Sequence, residues 1–400
     1  MRQDAELVGE LQEYLRIDTR QPTPDYAAAV EFLRKKCAQL LGAECQEKEY
    51  VKGKPVLVCT IKGLNANMKS IILSSHMDVV PTVDSKWTFP PMSATLHEGR
   101  IYARGAQDMK SVGMGYIHAL SQIIPKSPLQ RTVHLIFTPD EEIGSKDGMK
   151  RLVDDEDYWK SLNVGFALDE GVPSPVDQYY VFNRERGIMW MRATVKGPAG
   201  HGSTLMTGTA AQKLTHALCV IEEFRQGQLL KLAKVEGRLG QVTSINVNGV
   251  KCDSVQVNVV PSQYLMDIDV RVGPDFESEQ AFYDYFSRAL GKDVELEFIH
   301  RDDSIQYFSE DEQIMDALRD ALGEMEVAVF PGGTDSRNIR AKGVLAFGIS
   351  PFKNTPTLLH DHDEHLRVEE YLSGVKVYEK LLSFFVTNEL DLDKKVVNFE

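Results

Sequence analysis

Cysteine is scarce in this sequence and nowhere closely paired: Cys37, Cys45, Cys59, Cys219 and Cys252 are odd in number, widely spaced and without a CxxC pair. Such usage suggests neither a disulfide framework nor a thiolate zinc site, and points to a reducing compartment with buried or inert thiols. Long apolar runs are missing too, since no stretch approaches the roughly 18 residues of a membrane span. The opening MRQDAELVGELQEYLRI sets charges among its apolar positions and lacks a signal core, so a cytoplasmic location is expected and no membrane partner. Basic charge is in deficit: 45 Lys and Arg stand against 59 Asp and Glu, a net charge of −14. A phosphate-backbone binder needs the opposite balance, so nucleic acid is not expected as a partner. There is no internal repeat or low-complexity tract, and the acidic tail after Asn388 reads as a solvated end.

The chain has 400 residues, more than the roughly 250–300 that one core holds, so two domains are expected. Its 42% hydrophobic and 26% charged content is that of a soluble globular protein with apolar residues enough for real cores. Apolar residues at helical spacing predict helices at Asp4–Arg16 and Tyr26–Leu41, separated by the Pro22 and Pro24 turn. Continuous apolar runs follow at Val56–Ile61, Ser70–Ser75, Thr132–Thr138 and Val164–Leu168, alternating with helical stretches such as Ser111–Ile124. That pattern predicts an α/β domain with a mostly parallel sheet flanked by helices. From about Ile188 the order becomes strand, helix, strands, helix, strand, close to a split βαβ, ferredoxin-like α+β arrangement. Helix–strand alternation returns after Ser309. The expected organisation is therefore residues 1–187 and 308–400 as one domain, with 188–307 inserted.

Four positions at or beside the ends of apolar runs carry cation-binding groups. SIILSS runs into His76 and Asp78, TVHLIFTP into Glu141 and Glu142, VGFAL into Asp169 and Glu170, and GAQ into Asp108 before a helix. In open α/β sheets such strand ends form the rim where ligands bind, so the groups should converge. A short apolar run later leads into His360-Asp361-His362-Asp363-Glu364-His365. Histidine and carboxylate without cysteine suit Zn²⁺, with Co²⁺ or Mn²⁺ as substitutes. If one carboxylate bridges, there are ligands for two ions about 3.5–4 Å apart, an arrangement of hydrolytic aminopeptidases and phosphatases. Singly, each residue has a bland reading. Asp108 could cap a helix, Asp169 a turn toward Gly171, and the HDHDEH tract could be a surface patch in which the residues alone do not choose among His360, His362 and His365.

SHMDVVP, YARGAQDMK, FTPDEEIG, ALDEG, GHGS, NVVP, FPGGTDSR and LLHDHDEHL occur in an order that resembles a family of metallopeptidase-like amidohydrolases. That family includes aminoacylase, carboxypeptidase G, succinyl-diaminopimelate desuccinylase and carnosine dipeptidases, and the likeness is most specific for the cytosolic aminoacylase-1 type. The resemblance implies a zinc-peptidase-like catalytic domain with an inserted dimerisation and lid domain. It makes His76, Asp108 and Asp169 ligands of one zinc ion and Asp108, Glu142 and His360 ligands of a second, with Asp108 as the bridge. Asp78 is then a carboxylate orienting His76 through its other ring nitrogen, and Glu141 the general base. His201 of GHGS is implied as an oxyanion donor reaching a partner subunit's site, which implies a homodimer. Asn258, Arg271, Thr334, Asp335 and Arg337 match positions that bind substrate. Met77 and Ser145 depart from the common pattern at positions that hold no metal.

The expected chemistry is amide hydrolysis of an N-acyl-L-amino acid to a carboxylate and a free L-amino acid. The attacking group would be a hydroxide bridging the two ions, because metal binding lowers a water pKa from about 15.7 to about 7. Two alternatives accompany it. One is a dipeptidase or other N-acyl amidohydrolase using the same site. The other is an inactive relative that binds amino-acid derivatives or serves as a scaffold, against which the intact set His76, Asp108, Glu141, Glu142, Asp169 and His360 counts.

Overall fold

The Ser70–His76 and Val133–Thr138 strands lack the inside–outside alternation of a one-sided strand because both of their faces are covered, and every residue in them is buried. They lie inside an eight-stranded sheet with the order Ala43–Val51, Lys54–Ile61, Val133–Thr138, Ser70–His76, Val164–Asp169, Leu345–Ile349, Tyr179–Glu185 and Met325–Phe330. The four strands from Val133–Thr138 to Leu345–Ile349 run parallel, and antiparallel pairs flank them. This computed structural model describes residues 2–254, 256–301 and 311–390. Val255, the expected domain boundary at 307/308 and the acidic tail beyond Leu390 lie outside the described residues.

One face of the sheet packs Leu57, Leu73, Leu135, Phe137 and Leu168 against the helices Arg2–Leu15, Tyr26–Cys37, Lys110–Ile123 and Val368–Thr387. The other packs Val58, Ile72, Ile136 and Ala167 against shorter helices that include Met149–Asp154 and Ser336–Arg340. Gly113 lets the Lys110–Ile123 helix lie close on the sheet: a Cβ there would stand 2.6 Å from Ser75 Oγ. That approach brings Asp108, just before the helix, toward His76 at the end of the strand. No helix among the described residues is long and apolar enough to cross a membrane.

Of the described residues, 184–254, 256–301 and 328–333 form a second compact unit. Its antiparallel sheet has the order Ser244–Cys252, Gln263–Val272, Gly187–Lys196 and Val294–Arg301. Ile221 of helix Ala210–Lys234 and Phe282 of helix Glu279–Leu290 share one core with inward residues of the sheet, among them Met189, Met191 and Val270. Val259–Val260 forms a two-residue strand paired with Gly200–His201.

The cysteine reading needs correction. Cys45 and Cys59 form a disulfide, because they face each other in register across an antiparallel pair with their Cα atoms 4.0 Å apart. Cys37 is buried beside them, and burial pushes its thiol up to about 12. Cys219 and Cys252 are exposed rather than buried.

Candidate metal centre

Asp108 sits between two imidazoles. Its Oδ1 lies 3.0 Å from His76 Nε2 and its Oδ2 lies 3.2 Å from His360 Nε2. Each group arrives from a separate element: His76 ends a core strand, Asp108 precedes the Lys110–Ile123 helix, and His360 lies in the loop before the His365–Arg367 strand. The polar tips meet where the apolar strands stop, which is the convergence expected of a sheet's carboxyl edge.

The Glu141–Ile143 turn contributes the next groups. Glu142 Oε2 lies 3.0 Å from His360 Nε2, while Glu142 Oε1 is buried with no hydrogen-bond partner among the described residues. Oxygens or nitrogens of His76, Asp108 and Glu142 all fall within 4.8 Å of one another, and those of His76, Glu141 and Glu170 do the same. The adjacent glutamates, on one 3₁₀ turn, thus share His76 but differ in their second neighbour, Asp108 for Glu142 and Glu170 for Glu141.

Asp169 is not brought into this cluster. Leu168 faces the main core, so strand alternation turns Ala167 and Asp169 to the opposite layer. There Ser336 Oγ donates to Asp169 Oδ2 at 2.7 Å. Glu170, the first residue past the strand, instead places Oε2 3.7 Å from His76 Nε2. The DE pair in the sequence signals an acid at this place, and only the exit geometry of the strand selects which one turns inward.

Asp78 also acts differently from expectation. His76 Nδ1 donates to the backbone carbonyl of Asp78 at 2.8 Å, while the carboxylate is farther away at 3.7 Å. A carbonyl only accepts, so Nδ1 carries a proton and Nε2 is left to face the carboxylates. The Asp78 carboxylate instead accepts from the backbone N–H of Glu141 at 3.1 Å and of Glu142 at 3.2 Å, and from Gln21 Nε2 at 2.9 Å. It braces the turn that carries both glutamates. Tyr26 adds support by donating to Asp140 Oδ1 at 2.7 Å. Sequence reasoning did not single out Gln21 or Tyr26.

The buried charges shift one another. Burial opposes a charge on His76, but Asp108 and Glu170 outweigh it and hold its pKa well above the ordinary range. Hydrogen bonds to Asp108 and Glu142 raise His360 to about 10. Asp108, despite burial, is held far below the usual carboxylate range by the two imidazoles. Burial, joined by the Glu170 charge, pushes Glu141 well above its ordinary value, and burial with the Asp108 charge does the same for Glu170.

Of the expected substrate groups, Thr334 Oγ1 accepts from Ser336 N at 3.2 Å and Asp335 Oδ2 accepts from Thr138 Oγ1 at 2.6 Å. The first contact is a turn within the loop, and the second ties the loop to the Val133–Thr138 strand. Arg337 Nη2 lies 3.4 Å from Ser145 Oγ, and Arg337 is buried. Within the second unit His201 is exposed, with Nδ1 2.8 Å from Ser203 Oγ, and the carbonyl of the exposed Asn258 accepts from Gly202 N at 2.7 Å. Arg271 donates through Nε to Asp269 Oδ1 at 2.9 Å.

The nitrogens and oxygens of His76, Asp108, Glu142, Glu170 and His360, with no thiolate among them and with one buried Glu142 oxygen lacking a partner among the described residues, are a donor set for Zn²⁺, Mn²⁺ or Co²⁺. Asp108 turns one carboxylate oxygen to each of the two imidazoles.

A family model described as peptidase family M20/M25/M40 matches residues 72–383. Aminoacylase-1 of Sus scrofa is 40% identical over 382 residues, covering 93% of this chain and 93% of that one. The fold is similar to that of an M20 family metallo-carboxypeptidase from Sulfolobus solfataricus, with a TM-score of 0.71 at 20% identity over 95% of this chain and 99% of that one. It is also similar to a dinuclear metal binding peptidase from the M20 family of Bacillus subtilis, with a TM-score of 0.69 at 15% identity over 96% and 98% of the two chains.

Proposed function

Because the chain belongs to peptidase family M20/M25/M40, we propose that this centre is the active site of a metal-dependent amidohydrolase that cleaves N-acyl-L-amino acids. The products are a carboxylate and a free L-amino acid. The observation that carries the reading is Asp108 presenting one oxygen to each of two imidazoles, beside an unpartnered Glu142 oxygen.

His76, Asp108 and Glu170 would hold one ion, and Asp108, Glu142 and His360 the other. Zinc suits this set, with Co²⁺ or Mn²⁺ as substitutes. When bound, such ions polarise a carbonyl and acidify water. The protein's own groups do the rest. Glu141, whose burial raises its proton affinity, takes the proton of the attacking water and returns it to the departing amine. Asp78 keeps Glu141 and Glu142 in place through their backbone amides.

His201 would donate to the substrate carbonyl oxygen as negative charge develops there, acting in a partner subunit of a homodimer. Its exposure in the second unit supports that role. Asn258 and Arg271 would orient the substrate's carboxylate; the planar guanidinium can bond both oxygens. Thr334, Asp335 and Arg337 would line the facing wall. A cytoplasmic location is proposed with it, although the Cys45–Cys59 disulfide removes cysteine usage as an argument for a reducing compartment.

Chelation followed by zinc rescue, assayed on N-acetyl-L-methionine beside a panel of dipeptides, tests the reading. Activity that is lost, then restored, with the acylated amino acid preferred, is expected. Preference for dipeptides would make it a dipeptidase, and binding without turnover would make it a non-enzymatic relative.

A further inference from the structure

We propose that Glu364 is a positioning residue for this centre, its carboxylate gathering the backbone of the Arg104–Asp108 loop and thereby setting Asp108 against His360. The inference rests on the metal-centre reading above.

Glu364 is fully buried, and a carboxylate inside a protein must be paired or hydrogen-bonded. Its Oε2 accepts from Arg104 Nη1 at 2.6 Å and from Gly105 N at 3.1 Å. Its Oε1 accepts from Gln107 N at 2.6 Å and from Asp108 N at 3.3 Å. A partner needed only to neutralise Arg104 would use one oxygen. Here the second oxygen is given to the main chain of Gln107 and Asp108.

The attachment is reciprocal. The Gln107 side chain donates to the carbonyls of Pro356 at 2.9 Å and His365 at 2.8 Å, and its Oε1 accepts from Leu358 N at 2.9 Å. Arg104 Nη2 donates to the Asp361 carbonyl at 3.2 Å. The segment carrying His360 is therefore tied to the Asp108 loop from both directions. His360 itself has φ +63°, the left-handed region that a β-substituted residue enters when its surroundings impose it. Its side chain is 53% exposed and meets Asp108 and Glu142. With so little packing on the ring, its place depends on the backbone of its segment.

All four partners of Glu364 are donors, so Glu364→Gln must turn an NH₂ toward at least one of them and leave the Arg104 charge without its partner. The test measures the affinity of each variant for zinc alone, by chelator competition, together with thermal unfolding. Arg131→Met is the control, since Arg131 is buried and bonds the main-chain carbonyls of Phe385 and Asn388, groups outside the centre. Glu364→Gln should weaken zinc binding by about 10–100-fold, the usual effect of removing a supporting group. Arg131→Met should lower the melting temperature with zinc affinity unchanged. A Glu364→Gln protein that melts earlier yet binds both ions with wild-type affinity would overturn the proposal.

If Glu364→Gln does not fold, Gln107→Leu removes the reciprocal arm, and the same outcomes apply to it. A wild-type protein that binds no zinc would overturn the metal-centre reading, and the positioning role with it.

Discussion

Glu170 Oε2 stands 3.7 Å from His76 Nε2, while its neighbour Asp169 is hydrogen-bonded to Ser336 in the opposite layer of the sheet. The two acids adjoin in sequence and have different work. Glu170→Ala should lose one ion per subunit, a larger effect than the roughly 10–100-fold affinity loss expected of a supporting group. Asp169→Asn should keep both. Metal content by mass spectrometry decides, and the reverse pattern would return the ligand role to Asp169.

Glu141 shares the pocket of His76 but has no assigned ligand duty. Glu141→Gln should retain both ions and lose about 10²–10⁴ in kcat, the range for a general acid–base group. Metal content and kcat from the same preparation test this together. Near-normal turnover would remove Glu141 from the base role.

His201 lies exposed on the second unit. Its replacement by Ala should cost about 10²–10³ in kcat, as loss of one oxyanion donor does, with metal content unchanged. Mixing His201→Ala with Glu141→Gln subunits should recover activity, because one mixed site would then hold both an intact base and an intact donor. No recovery after verified subunit exchange would place His201 outside the partner's site.

Glu10 gives the first unit a pH-dependent tie. His118 Nε2 at 2.9 Å, and then Lys36 Nζ at 2.8 Å, lower the Glu10 carboxyl from 4.5 to about 2 against the opposing effect of burial. The folded value lies below the unfolded one, so this stabilisation is complete above about 4.5 and disappears as pH falls toward about 2. Thermal melts of Glu10→Gln should fall below wild type at neutral pH and converge with it across that window. A constant gap at every pH would contradict the assignment.

Much of the centre was legible because charged groups end apolar runs at His76, Glu141 and Glu142, and because Asp108 precedes a helix. What was not legible depended on where the backbone turns. Asp169 and Glu170 are chemically similar, and which one faces the pocket follows from how the chain leaves its strand. Glu364 sits in a tract of charges that composition reads as surface, yet the loop it binds encloses it. The Cys45–Cys59 pair escaped notice because Ala43–Val51 is a charged flanking strand without an apolar signature.

Anomalous scattering from crystals of the zinc-loaded protein tests bridging by Asp108 most directly. Two peaks about 3.5–4 Å apart should flank the Asp108 carboxylate, one beside His76 and Glu170 and the other beside Glu142 and His360. A single peak, or two that share no Asp108 oxygen between them, would contradict it.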